Sequence, residues 1–336
     1  MSPARRVDTR RGASPPVQRE ESLREWLAAG PYTLALSSGF CCLHHHAGVL
    51  AALEDAGVPP YAVSGSSAGA GIAALHAAGL SPEQMLELCT GDPPDVVRLA
   101  RPWREPGGLL SSRWLVHVID EIIARYSLAE TLECCVRPVS ISTFVARRLR
   151  TWVLSSSDGY RNPPCRLSEA IVASLAVPPL FAPLCLDGIG LCTDGGIGDF
   201  PGMRGIDGRA RVLYHHASFL PLSLIERGYM GGDHRHSPHR RTLKIGGLPV
   251  LNPLTLGRIG PTAYAAAREA AERALERPAS ADGAGSTTSG APGGPHVVCV
   301  RARTWPLGVG MSGVMPRLFM ALLVLLASLI LWRGVR

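Results

Sequence analysis

The chain has 336 residues, 46% of them hydrophobic, and a formal net charge of +7. That length and apolar content fill a substantial core and exclude a wholly disordered chain. A basic balance suits an anionic partner, and membrane surfaces and nucleic acids attract it alike, so charge does not choose between them.

Residues 1–30 read as a basic arm followed by a short helix: Arg5, Arg6, Arg10, Arg11 and Arg19 face one acid, Asp8, among prolines, and the helix is expected over Ser22 to Ala29. No apolar run of the secretory kind precedes Tyr32, which points to a reducing compartment. The nine cysteines include two adjacent pairs, Cys41 with Cys42 and Cys134 with Cys135, and no C-x-x-C spacing. They read as free thiols.

A strand over Tyr32 to Leu36, a helix from about His46 to Ala56, a strand over Ala62 to Ser64 and a helix from Ser67 to Ala78 follow in order. That alternation predicts an α/β fold with a mostly parallel central sheet. Ser81-Pro82-Glu83 opens a further helix, and Arg113 to Arg125 is amphipathic. Val139 to Val145 and Arg150 to Ser155 read as strands joined by a basic turn, Ser168 to Ser174 as a helix, and Pro183 to Asp194 as a hairpin or loop. The stretch holding His234, His236, His239, Arg240, Arg241 and Lys244 reads by default as a solvated loop, with lipid headgroups as the sharper alternative. Pro261 to Leu275 is helical, with Glu269 and Arg273 one turn apart. Together these elements make residues 31–276 the expected main folded domain.

Residues 277–296 read as a Gly/Ser/Pro linker and 297–314 as a short extension. Residues 315–336 read as a C-terminal hydrophobic helix. Leu318 to Trp332 holds nothing more polar than Ser328, and Arg333 and Arg336 flank it. The run is shorter than the roughly 20 residues that span a bilayer, yet its flanks fit a membrane boundary. The expectation is a membrane-associated, tail-anchored protein whose large domain faces the cytosol.

Gly65-Ser66-Ser67-Ala68-Gly69 matches G-x-S-x-G between an expected strand and an expected helix, where a serine oxygen projects from the sheet's carboxyl edge. The glycines leave the room that such a sharp turn needs, and the helix N-terminus favours developing negative charge. Gly69-x-Gly71-x-x-Ala74 imitates a dinucleotide fingerprint, but its first glycine already lies inside the helix.

The chain resembles the patatin-like phospholipases from about Tyr32 to Leu275. Three blocks stand in the family's order: Leu36-Ser37-Ser38-Gly39 with His46-Ala47-Gly48-Val49-Leu50; Gly65-Ser66-Ser67-Ala68-Gly69; and Ala170 to Ser174 through Val177-Pro178 and Phe181-Ala182-Pro183 to Asp194-Gly195-Gly196. The resemblance implies a three-layer α/β/α domain, Ser67 as nucleophile, Asp194 as general base in direct contact with it, and an oxyanion loop at Gly39 and Phe40. By the same resemblance Ala68, Gly195 and Gly196 belong to the site motifs. Of the family's loop glycines only Gly39 is retained; Phe40, Cys42 and Leu43 stand at its other glycine and basic positions.

The implied activity is hydrolysis of membrane glycerolipid esters through an acyl-enzyme. Two alternatives stay open: a catalytically weak, membrane-anchored lipid-binding or scaffold protein, and an α/β-hydrolase with a Ser-Asp-His triad that recruits His215 or His216, read as following a strand. No cofactor, metal or nucleic-acid partner is expected. Adjacent His44, His45 and His46 cannot all face one ion, and His46 reads as structural or supporting the site.

Overall fold

A computed structural model describes residues 20–90, 107–157, 162–217, 221–230, 234, 237–249, 251, 256–279 and 296–303. The basic arm before Glu20, Arg235, His236, most of the linker and the apolar run Leu318–Trp332 lie outside the described residues. Among the described residues no helix is long and apolar enough to cross a membrane.

The first helix, α1 (Leu23–Ala28), begins with a reciprocal cap: Ser22 Oγ accepts from the Glu25 amide at 3.2 Å and Glu25 Oε2 accepts from the Ser22 amide at 2.8 Å. Its buried Leu23, Trp26 and Leu27 join the main core. Among the described residues nine strands form one sheet: β1 (Thr33–Leu36), β2 (Ala62–Ser66), β3 (Val139–Val145), β4 (Arg150–Ser155), β5 (Leu184–Leu186), β6 (Gly190–Thr193), β7 (Val212–His216), β8 (Arg240–Gly246) and β9 (His296–Arg301). Their order is β5-β6-β3-β2-β1-β7-β8-β9, with β4 on β3. The pairings among β3, β2, β1, β7, β8 and β9 are parallel, while β4, β5 and β6 are antiparallel.

Side chains alternate across a strand, so each strand supplies both faces. Leu34, Leu36 and Leu213 enter the larger core, under α2 (Leu43–Asp55), α3 (Ala68–Ala77), α4 (Pro82–Thr90), α5 (Ser112–Arg125), α6 (Leu167–Leu175) and α8 (Leu256–Leu275). Ala35, Val212 and Tyr214 point the other way, into a second core with Phe200, Met203 and the buried face of α7 (Leu222–Gly228). The result is the expected three-layer α/β/α fold with a mostly parallel sheet.

Several elements differ from their sequence reading. Helix α2 starts at Leu43, one turn before His46, with Cys42 at its cap, and α8 starts at Leu256 and carries Pro261 inside it. His215 and His216 lie within β7 and are buried there. The basic stretch becomes β8: Arg240 is wholly buried and paired with Glu226 at 2.6 Å, while Arg241 sits 4.7 Å over the Trp26 ring. Pairing and an aromatic face make these cations tolerable in a strand, where spacing alone suggested a loop. Beyond the linker, β9 returns to the sheet as its edge strand beside β8.

Candidate active site

Strand β2 ends at Ser66, and the chain turns at Ser67 with φ 53° and ψ −125° before α3 begins. L side chains avoid this region, and such strain clusters at functional sites. The flanking glycines are there for space. A Cβ on Gly65 would collide with the Gly69 carbonyl and lie 2.6 Å from the Ala70 nitrogen, and a Cβ on Gly69 would collide with the Leu36 carbonyl. Ser174, on α6, braces the turn by accepting from the Ser67 amide at 2.9 Å and donating to the Ser142 carbonyl on β3 at 2.7 Å.

Asp194 follows β6 and caps the short turn Gly195–Ile197. Its amide donates to the Ala176 carbonyl at 2.9 Å, and its Oδ1 accepts from the Gly196 amide at 2.8 Å. Oδ2 is buried and takes no hydrogen bond, and the Ser67 hydroxyl lies near enough to favour the charged carboxylate. Burial pushes the Asp194 carboxyl up to about 7, against the opposing pull of the Ser67 hydroxyl and the Gly196 amide. A base in that range suits proton transfer near neutral pH far better than an ordinary aspartate. Gly195 and Gly196 are again spatial requirements. A Cβ on Gly195 would strike the Ser142 carbonyl, and one on Gly196 would strike Ser38 Oγ and lie 2.8 Å from Asp194 Oδ1.

The loop from Ser37 to Cys42 lies alongside. Ser38 donates its amide to the Phe200 carbonyl at 2.8 Å, and Ser37 Oγ accepts from the Ala217 amide at 3.0 Å. Gly39 keeps its place because a Cβ would collide with the Ala217 carbonyl. Phe40 adopts φ 54°, so the left-handed turn is made without the glycine that would make it freely. Its ring packs with Cys41, Leu251, Ile259 and Ala263. The sequence could not show that packing offsets this strain.

Behind the loop lies a histidine pair that sequence reasoning missed. His46 Nε2 is 3.0 Å from the Ser37 carbonyl, which can only accept, so Nε2 carries the proton and Nδ1 of the neutral ring accepts. His215 Nδ1, 2.9 Å away, is then the donor. Burial holds His46 down at about 3 and His215 well below the usual imidazole range, so both stay neutral. The other two histidines of the run face elsewhere: His45 donates to the Pro249 carbonyl at 3.1 Å, and His44 packs beside Gly260. Among the described residues no three His, Cys, Asp or Glu side chains group as metal ligands. His215 is engaged by His46, and the Ser67 hydroxyl acts on the Asp194 carboxylate.

An α/β sheet that presents a serine on a strained strand-to-helix turn belongs to the class built around a nucleophile elbow. Within that class the chain belongs to the patatin-like phospholipase family, whose model matches residues 34–204, about half of the chain. It is 31% identical over 166 residues to an uncharacterised NTE family protein of Mycobacterium tuberculosis, covering 49% of this chain and 42% of that protein. It is 27% identical over 212 residues to a patatin-like phospholipase domain-containing protein of Debaryomyces hansenii, covering 58% of this chain and 27% of the other. The chain thus spans less than half the length of these curated relatives. Among solved structures, VipD from Legionella pneumophila superposes with a TM-score of 0.43 at 15% identity, over 64% of this chain and 50% of that one. The ExoU–SpcU complex from Pseudomonas aeruginosa gives 0.38 at 17% identity, over 73% and 51%.

Proposed function

We propose that the chain is a lipid acyl hydrolase that cleaves carboxylic esters of membrane glycerolipids through Ser67 and Asp194. One observation carries this reading: a serine in a strained, glycine-flanked turn lies against a buried carboxylate whose proton affinity is raised to about 7.

In the proposed reaction Asp194 takes the Ser67 proton as Oγ attacks the ester carbonyl. The oxyanion collects charge near the backbone amides of the Gly39–Phe40 loop and of Ala68 at the start of α3, where the helix end favours negative charge. As the tetrahedral intermediate collapses, the alcohol leaves with the proton held by Asp194 and the acyl group stays on Ser67. Water, deprotonated by Asp194, then attacks the acyl-enzyme, and the returning proton restores Ser67 as the fatty acid departs. Ser174 holds the elbow, and the His46–His215 pair holds the loop through Ser37; neither needs to exchange a proton.

The test is hydrolysis of a soluble short-chain ester by Ser67→Ala, Asp194→Asn and His215→Gln. The first two should abolish turnover, while His215→Gln should keep most of it, since glutamine can still donate toward His46. An active, folded Asp194→Asn variant, or a His215→Gln variant as dead as Ser67→Ala, would replace the dyad with another machine.

A further inference from the structure

Strand β3 continues past the level of the nucleophile. Its Ser142 pairs with Ser66 at the end of β2, and three more residues, still paired with β4 and at the last two with β6, carry it to Val145, roughly 10 Å past the end of β2 at the usual rise of a strand. There the β3–β4 hairpin turns through Ala146–Arg148 and Leu149, and Arg147, Arg148 and Arg150 are all exposed. Leu149 is 74% exposed and has φ 47°, a backbone region usually left to glycine or asparagine. A leucine there carries the strain without packing against its own chain. The Arg148 and Arg150 guanidinium carbons lie 6.0 Å and 5.0 Å from the centre of the Trp152 ring. Among the described residues no carboxylate forms a salt bridge with any of the three arginines.

The same edge carries further exposed apolar side chains: Ile197, three residues after Asp194, and Leu109, whose amide bonds to the Pro179 carbonyl. We propose that this tip docks the carboxyl edge, and with it the Ser67 site, onto an anionic phospholipid bilayer, Leu149 entering the acyl boundary while Arg147, Arg148 and Arg150 take lipid phosphates. The choice of occupant rests on the lipid-hydrolase reading. The surface itself does not, because apolar and basic groups at one projecting tip match the two layers of a bilayer interface, whereas a purely polyanionic partner leaves the leucine unexplained.

The experiment uses the full chain carrying Ser67→Ala, so that binding is read without turnover, and sediments it with vesicles of phosphatidylcholine alone or mixed equally with phosphatidylglycerol. The apolar run Leu318–Trp332 favours both vesicles alike, so the readout is the preference for the anionic one. Reversing the tip (Arg147→Glu, Arg148→Glu, Arg150→Glu) should weaken binding to anionic vesicles roughly 10²-fold, from the attraction of each arginine for such a surface, and leave phosphatidylcholine binding unchanged. The milder Arg147→Gln, Arg148→Gln, Arg150→Gln set should remove most of the preference. Leu149→Gly, which relieves the strained backbone, should weaken binding to both vesicles. Arg209→Glu, on the opposite edge, should change nothing. Undiminished anionic preference in the glutamine set, or tip-dependent binding to an RNA oligonucleotide with no vesicle preference, would overturn the proposal. Soluble-ester turnover by the Ser67 protein tests the hydrolase reading separately, since docking can persist in a chain that hydrolyses nothing.

Discussion

At φ 53° and ψ −125° the Ser67 side chain crowds its own backbone, and only its neighbours hold it there: Ser174 through the amide, and Gly65 and Gly69 through the space they leave. Strain of this kind costs about 1–3 kcal/mol. Replacing Ser67 with glycine should therefore raise stability over Ser67→Ala by about 1 kcal/mol while both variants lose activity, a difference that denaturant unfolding can read. Equal stability of the two would mean that the turn is relaxed. The two proposed reacting side chains could be named from the sequence, because G-x-S-x-G and Asp-Gly-Gly are short motifs, and their glycines answer local collisions. Their supports were not. Ser174 gave only a faint signal, a hydroxyl at the end of the apolar run Ala170-Ile171-Val172-Ala173, and the His46–His215 contact joins residues 169 apart in sequence.

Among the elements, α2 and α8 come into close contact at Gly48. A Cβ there would collide with the Tyr264 carbonyl and lie 3.1 Å from both the Ala267 Cβ and the Arg268 nitrogen. Because the obstacle is largely helix backbone, Gly48→Ala should push the helices apart and cost about 1–3 kcal/mol, although alanine is the better helix former. Thermal unfolding would show it, and a neutral or stabilising change would contradict the packing. The order β1, α2, β2, α3 was readable from alternating apolar periods. The joining of β9 to β8 was not, since parallel partners are separated by long crossovers that leave no local register signal. Arg240 misled for a related reason: its charge spoke for solvent, and the Glu226 that pairs with it lies on α7, outside its own strand.

Across the whole molecule the buried histidines set the response to acid. Burial lowers His44, His45 and His76 to about 4, His46 to about 3, and His215 well below its ordinary value. All five are neutral when folded and free to protonate near 6.5 when unfolded, so the unfolded chain binds more protons as pH falls. Stability is full above about pH 6.5 and is lost toward about pH 4, by up to about 1.4 kcal/mol per pH unit for each histidine. Asp194 has the opposite sign, since a carboxyl raised to about 7 favours the folded state in its protonated form; as one group it offsets part of the loss. Denaturant midpoints that stay flat through this window would contradict the burial of the histidine cluster.

The proposed reaction depends on Asp194 being the base for Ser67, and that pairing predicts its own pH profile. The direct measurement is the rate at which a fluorophosphonate labels Ser67, followed by mass spectrometry across neutral pH. Labelling should rise with pH through about 7 as the carboxyl loses its proton, and Asp194→Asn should lose it with the fold intact. A labelling rate indifferent to pH through that range, or one that survives Asp194→Asn, would contradict the account.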